Sequence, residues 1–222
     1  MTYRIGLVHA TLNAVQPMND AFRQHAPETT CLNFLNEGLI QELNETGNVT
    51  PEMVRRLGKL IETASVSNVD GVLLTCSSFT PYVDLLAPLF NIPVISVDYA
   101  MLDQAVSIGN RIGLIATVAA AGPTSEQILK DIAEEKGKSI VINTEIISEA
   151  FAALQKGDED KHDMLIQQKI KGLSKNCDVV VLAQISMIRA LQGLQTLTTP
   201  VLTSPEISIK SILSKLDHKD TK

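Results

Sequence analysis

A cysteine stands where an apolar run ends and a polar turn begins, in the stretch VLLTCSSFTP at residues 72–81. The apolar run is typical of a buried strand, and Thr80-Pro81 predicts a helix start, with Thr as N-cap and Pro at the first helical position. Cys76 is therefore expected just ahead of a helix N-terminus, whose partial positive charge stabilises a thiolate. Such a thiolate, beside the hydroxyls of the two serines that follow it, could remove a proton from a carboxylate-bearing carbon. The structural alternative is a small buried cysteine that only closes the strand.

The chain nearly repeats itself at a spacing of 107 or 108 residues. Three pairs of segments match in the same order: RIGLVHA (4–10) with RIGLIAT (111–117), VDGVLLTCSSF (69–79) with CDVVVLAQISM (177–187), and IPVIS (92–96) with TPVLT (199–203). This repetition indicates two related halves. We assign them to residues 1–97 and 98–205, with a C-terminal helix over 206–217 available to pack back on the first half.

Each half alternates short β-branched runs with amphipathic helices, such as the one that Pro51 opens with Met53, Leu57 and Ile61 on one stripe. This alternation predicts an α/β fold of two pseudo-symmetric halves, each a parallel sheet flanked by helices. Ligands of parallel sheets bind beyond the carboxyl ends of the strands. The active site is therefore expected in the cleft between the halves, among residues that directly follow strands.

The composition excludes several classes of function. The 222 residues are 45% hydrophobic and carry a net charge of −6, with dispersed basic residues and no Trp, which argues against a nucleic-acid partner. No apolar run is long enough for a membrane span, and the N-terminus lacks the features of a signal peptide. Three widely spaced cysteines do not form a disulfide framework, so a cytoplasmic location is expected. The histidines and cysteines lack the spacing of zinc ligands, and no metal site is predicted.

An ordered series of motifs extends through most of the chain: LVHAT, NFLNEGL, LLTCSS, VDYAM, GLIAT, VVLAQISM and LTSPE. This series resembles the aspartate/glutamate/hydantoin racemase superfamily. The resemblance implies an enzyme that needs no pyridoxal phosphate or other cofactor, with a small carboxylate substrate and a homodimeric assembly. In that superfamily each half contributes a cysteine, and the two thiols flank the stereocentre of the substrate as base and acid.

The sequence departs from that pattern at one decisive position, because the counterpart of Cys76 in the second half is Gln184. Cys177 aligns with Val69, ahead of its strand, and Cys31 is expected to serve in core or strand packing. A single cysteine can still catalyse isomerisation, or racemisation where another group supplies the proton on the opposite face of the substrate. Isomerisation or racemisation is our main hypothesis. Decarboxylation of a malonate-type acid is the nearest alternative, and a non-catalytic module that binds or senses a small ligand is the alternative from another class.

The candidate catalytic residues are Cys76 and His9, the latter because it ends a strand and has an ordinary pKa of about 6.5. Asp98 and Glu206 each precede a predicted helix, and both could act as caps instead of site residues. The candidate substrate-binding residues all lie at or near strand ends: Thr75, Ser77, Ser78, Thr117, Thr124, Gln184, Ser186 and Glu206.

Overall fold

Two four-stranded parallel sheets form the framework of the protein, in a computed structural model that describes residues 2–194 and 197–219. The first sheet has the strand order β2-β1-β3-β4, and the second has the order β6-β5-β7-β8. The strands are β1 Arg4–His9, β2 Thr30–Leu35, β3 Gly71–Leu74, β4 Val94–Ser96, β5 Arg111–Ala116, β6 Val141–Ile146, β7 Val179–Leu182 and β8 Val201–Thr203. The two sheets have the same topology, which confirms the prediction of two pseudo-symmetric α/β halves.

Helices connect the strands and cover the sheets. Those of the described chain are α1 Val15–His25, α2 Gly38–Thr46, α3 Pro51–Ser65, α4 Val83–Leu86, α5 Tyr99–Ile108, α6 Ala121–Glu135, α7 Ser148–Gln155, α8 Glu159–Leu173 and α9 Ser204–Lys219. Short 3-10 helices span Leu12–Ala14, Ser77–Tyr82, Ala87–Leu89 and Ile185–Leu191. The chain divides into two compact units, one formed by the described parts of Met1–Asp98 and Pro205–Lys222 and the other by Tyr99–Ser204.

The helix α3 shows how the sequence specifies these elements. The Thr50 hydroxyl accepts a hydrogen bond from the Met53 N–H at 3.2 Å, which caps the first turn, and Pro51 occupies the first helical position. The predicted stripe is buried, including Met53, Leu57 and Ile61. A Cβ on Gly6 of β1 would lie 3.2 Å from the Ala64 Cβ, so glycine permits α3 to approach the sheet closely. A Cβ on the equivalent Gly113 of β5 would lie 3.1 Å from the Leu173 Cβ, so glycine permits the same close approach by α8.

The segment after β3 differs from the prediction of a helix start at Thr80-Pro81. Cys76 is followed at once by the 3-10 helix Ser77–Tyr82, with Pro81 inside it, and α4 begins only at Val83. The Thr80 side chain does not cap a helix N-terminus but donates a hydrogen bond to Asp98, with an Oγ1–Oδ2 distance of 3.1 Å. The prediction was wrong because the residues directly after the strand already form a 3-10 helix, so Thr80 and Pro81 lie inside that helix and not at the start of a new one.

Among the described residues, no helix combines the length and the apolar character that crossing a membrane requires. The same residues contain no cluster of three or more His, Cys, Asp or Glu side chains placed to hold a metal ion.

Candidate active site

Cys76 follows the carboxyl end of β3 by two residues, and β3 is one of the two inner strands of the first sheet. Its side chain is buried, with 8% of its surface exposed. The backbone N–H groups of Ser78 and Phe79 lower the pKa of the Cys76 thiol, because they stabilise the thiolate. The Phe79 N–H also donates a hydrogen bond to the Cys76 carbonyl at 3.1 Å. Cys76, Ser77 and Ser78 thus stand together in a buried turn, as the sequence predicts.

The thiolate expected from the sequence is not the resting form of Cys76. Burial raises the pKa of the Cys76 thiol to about 12, since desolvation disfavours the charged sulfur more than the two N–H groups stabilise it. The negative charge of Asp98 raises this pKa further. At neutral pH Cys76 is a protonated thiol and therefore a proton donor.

Asp98, for which the sequence leaves both a helix cap and a site role open, lies buried near Cys76. Its side chain is only 1% exposed, and its carboxylate accepts hydrogen bonds from the hydroxyls of Thr80 and Ser77. Burial raises the pKa of the Asp98 carboxyl to about 7, although both hydroxyls lower it. Within the described part of the chain, Asp98 Oδ1 is buried and has no hydrogen-bond partner. A carboxyl that titrates near neutral pH beside a thiol is an arrangement suited to proton transfer.

His9 is fully buried at the end of β1 and holds its neighbours in place. Its Nε2 donates a hydrogen bond to Asn33 Oδ1 at 2.9 Å, and its Nδ1 lies 2.8 Å from the Thr75 hydroxyl oxygen. Burial lowers the pKa of His9, which keeps the ring neutral at neutral pH. Both ring nitrogens are engaged within the protein, so the geometry favours His9 and Thr75 as residues that position the adjacent Cys76.

The second half presents a smaller set of polar groups at the equivalent strand ends. Thr117 follows β5, and Gln184 follows β7 by two residues. The Thr117 backbone N–H donates to Gln184 Oε1 at 2.6 Å, and the Thr117 hydroxyl donates to the same oxygen at 3.1 Å. Ser186 is half-buried in the 3-10 helix Ile185–Leu191 that begins directly after Gln184.

Two of the predicted substrate-binding residues, Thr124 and Glu206, make no hydrogen bond with the polar groups described around Cys76 and Gln184. The Thr124 hydroxyl donates a hydrogen bond at 2.8 Å to the carbonyl of Ala120, the residue that precedes α6, so it is engaged at the start of its own helix. Glu206 lies in the first turn of α9 with its side chain 46% exposed, and it forms an ion pair with Lys210 at 2.6 Å. Lys210 lowers the pKa of Glu206. These placements do not support a substrate contact for either residue.

Ion pairs connect the Ile185–Leu191 segment to α8. Arg189 Nε lies 3.0 Å from both carboxylate oxygens of Asp163, and its Nη2 lies 2.7 Å from Glu159 Oε2. The Gln167 amide of the same helix donates to the carbonyl of Ala190 at 3.0 Å. The segment that starts at Gln184 is therefore held by side chains of a neighbouring helix.

Replacing Arg189 with methionine is expected to lower the free energy of unfolding by about 1–2 kcal/mol, because it removes charge-assisted hydrogen bonds to two carboxylates. The free energy is measured by urea denaturation. The matched control is Lys210→Met, which breaks an exposed pair within one helix turn and is expected to cost less than about 0.5 kcal/mol. Equal losses in both variants would show that the Arg189 network contributes no more than an ordinary surface pair.

Comparisons with known proteins identify the family. The sequence model of the Asp/Glu/Hydantoin racemase family matches residues 5–212. The chain belongs to this family. Membership confirms the resemblance that the ordered motifs indicate, and it supports the expectation of an isomerase.

Solved structures of racemases share the fold. Picrophilus torridus aspartate racemase is 13% identical and superposes with a TM-score of 0.74, covering 97% of this chain and 94% of its own. Allantoin racemase from Klebsiella pneumoniae is 16% identical, with a TM-score of 0.67, covering 98% of this chain and 89% of its own. At these identities the similarity shows the racemase fold and leaves the substrate open.

One curated relative is similar at the sequence level, the uncharacterized protein C576.02 of Schizosaccharomyces pombe. It is 26% identical over 139 residues, which are 61% of this racemase-family chain. The match spans 57% of the relative's own length.

Proposed function

We propose that the protein catalyses isomerisation or racemisation of a small carbon acid that bears a carboxylate or amide, without a cofactor and through Cys76. The observation that carries the proposal is the buried pair of Cys76 and Asp98. Two backbone N–H groups lower the pKa of the Cys76 thiol, and Asp98 is a carboxyl with a pKa raised to about 7. Family membership supports the reaction class.

Asp98 is the group that adjusts the protonation of Cys76. When Asp98 is ionised it favours the neutral thiol, and when it is protonated the charge that raises the pKa of Cys76 is gone. In the proposed cycle the Asp98 carboxylate receives the thiol proton as substrate binds. The thiolate then takes the proton from the substrate carbon, and the C–H electron pair is delocalised into the adjacent carbonyl group. In isomerisation the new thiol returns this proton to an adjacent carbon, and Asp98 then reprotonates the sulfur. In racemisation water protonates the opposite face of the substrate carbon, and the Asp98 proton neutralises the hydroxide that forms. The N–H groups of Ser78 and Phe79 stabilise the sulfur charge while it lasts.

Decarboxylation of a malonate-type acid is a second candidate, favoured by the protonated resting state of Cys76. Loss of carbon dioxide breaks a C–C bond and leaves its electron pair on the substrate carbon, which then needs only one proton. A protonated thiol supplies that proton without first acting as a base. Decarboxylation therefore requires only one thiol. The sequence has one at these equivalent strand ends, Cys76 in the first half, with Gln184 in its place in the second half.

The test is solvent deuterium exchange followed by proton NMR, across a panel of 2-substituted carboxylic acids, malonates and hydantoins. We expect exchange into one compound class, and a loss of about 10²-fold or more in Cys76→Ser, since serine is a much weaker acid and base. Cys31→Ser is the matched control, because Cys31 is a half-buried residue of β2 and its replacement should leave exchange unchanged.

The outcomes separate the candidates. Carbon dioxide release that depends on Cys76 would favour the decarboxylase. Exchange of equal rate in the wild type and Cys76→Ser would overturn the role of the thiol. Tight binding of a panel member without exchange, isomerisation or decarboxylation would favour a binding or sensing module over an enzyme.

A further inference from the structure

The side-chain amide of Gln184 is oriented without ambiguity, which is unusual for a glutamine. Its oxygen accepts both the backbone N–H and the hydroxyl of Thr117, at 2.6 and 3.1 Å. A backbone N–H can only donate a hydrogen bond, so the atom that faces it must be the oxygen. The NH₂ group of Gln184 therefore points away from Thr117.

That NH₂ group lacks the partners that buried donors normally have. Within the described residues, Gln184 Nε2 is buried and makes no hydrogen bond. Buried amide donors in folded proteins are nearly always paired, so an unpaired one held rigidly in place indicates a bound acceptor. By contrast, the amide of Gln167 in the same half donates to the carbonyls of Ala190 and Gln192.

We propose that Gln184, held by Thr117, is a specificity-determining residue that binds an acceptor oxygen of the substrate, on a carboxylate or on the carbonyl of an amide or ureide. The inference deepens the proposed function, because it names the chemical group that the second half would recognise. Thr117 itself does not face the ligand, since its N–H and hydroxyl are already given to Gln184. Because the amide presents only donors on this side, an ammonium group is rejected there.

The amide also fixes what this position cannot do. A glutamine amide neither gains nor loses a proton in the ordinary pH range, so proton transfer is confined to groups elsewhere in the protein. Because the Gln184 amide does not titrate, its contribution to the affinity for the substrate does not vary with pH. The position thus selects the substrate by hydrogen bonding and takes no part in moving its proton.

The experiment observes the Gln184 side-chain amide directly by ¹⁵N–¹H NMR, with its resonances assigned by their loss in Gln184→Glu. The probes are malonate, hydantoin and 1,3-diaminopropane, added separately to the wild type and to Cys76→Ser. We expect malonate or hydantoin to shift the Gln184 amide resonances in both proteins, and the diamine to leave them in place. The Gln167 amide is the internal control and should not move, because its donors are already bonded.

The variant Gln184→Glu keeps an oxygen for Thr117 and replaces only the NH₂ group by a second oxygen. Affinity for the probe that shifts the amide is expected to fall at least about tenfold in this variant. Unchanged affinity in Gln184→Glu, an amide that no probe moves, or a diamine that binds as tightly as malonate would each overturn the inference. The shift is read in Cys76→Ser, which has no reactive thiol, so failure of the proposed reaction is distinguished from failure of this subsite.

Discussion

Replacing Asp98 with asparagine is expected to stabilise the protein at about pH 8 by up to about 4 kcal/mol. Burial raises the pKa of the Asp98 carboxyl from 3.8 to about 7, so holding it ionised in the folded state is unfavourable. Asparagine has nearly the same shape, can accept the hydrogen bond from Thr80 and carries no charge. The variant removes the cost of burying a carboxylate and keeps the contact that orients the side chain.

The pH dependence follows from the direction of the shift. At a pH well below 3.8 the carboxyl is protonated in both the folded and the unfolded chain, and its ionisation has no effect on stability. As the pH rises from 3.8 to about 7, the unfolded chain releases the proton while the folded chain retains it, so the wild type becomes less stable. Above about pH 7 the wild type bears the full cost in stability of the buried carboxylate. The advantage of Asp98→Asn should therefore grow between about pH 4 and pH 8, as measured by urea denaturation.

Asp178→Asn provides a control of the opposite sign. The pKa of Asp178 is lowered, because its carboxylate accepts hydrogen bonds from the Arg111 side chain and from the backbone N–H groups of Arg111 and Asn110. Neutralising it should reduce stability at neutral pH, with the loss disappearing in acid as the wild-type carboxylate takes up its proton. A stability change in Asp98→Asn that does not vary with pH would contradict a raised pKa for Asp98.

Greater stability should come with a loss of turnover in Asp98→Asn. Asparagine cannot receive the proton of Cys76, so the proposed transfer from thiol to carboxylate is lost. We expect turnover to fall about 10²-fold or more and to lose any dependence on a group titrating near pH 7. Wild-type turnover in this variant would show that Asp98 has only a structural role.

The repeated architecture could be predicted because its signals are local. Strands buried on both faces appear as continuous apolar runs, and three such runs recur at one spacing. In the structure these runs are the pairs β1 and β5, β3 and β7, and β4 and β8, which occupy equivalent places in the two sheets. The carboxyl ends of parallel strands meet at one edge of a sheet, which is why the sequence pattern could predict that His9 and the segment of Cys76 lie at the same edge.

The chemistry of the site could not be predicted in the same way, because it depends on contacts between distant segments. An aspartate before a helix reads as a cap, and only the fold shows that Asp98 faces Thr80 and Ser77 in a buried position. The sequence likewise makes Thr117 a candidate for substrate binding, whereas in the structure its hydroxyl donates a hydrogen bond to Gln184, 67 residues away. The expectation of a thiolate at Cys76 was wrong for the same reason. Burial by other segments raises the pKa of the thiol more than the local N–H groups lower it.

Alkylation of Cys76 by iodoacetamide at about pH 7 is expected to be 10²- to 10³-fold slower than that of a free cysteine, whose pKa is about 8.5. With the pKa of Cys76 raised to about 12, only about 10⁻⁵ of the thiol is ionised at that pH. The greater intrinsic nucleophilicity of a high-pKa thiolate recovers part of this difference, and burial of the side chain restricts access of the reagent. The rate, followed by mass spectrometry of the Cys76 peptide, should still be rising above about pH 9.

Asp98→Asn connects this measurement to the proposed mechanism. Removing the negative charge lowers the pKa of Cys76, so alkylation of Cys76 should be faster in the variant than in the wild type at the same pH. The peptide that contains Cys31 is the internal control. Burial also raises the pKa of Cys31, to about 11, and Asp98 is not a cause of that shift, so its rate should be the same in both proteins. A wild-type rate for Cys76 that reaches its plateau below about pH 8 would mean that the thiol rests as a thiolate. In that case Cys76 would act first as a base, and the isomerase would be favoured over the decarboxylase.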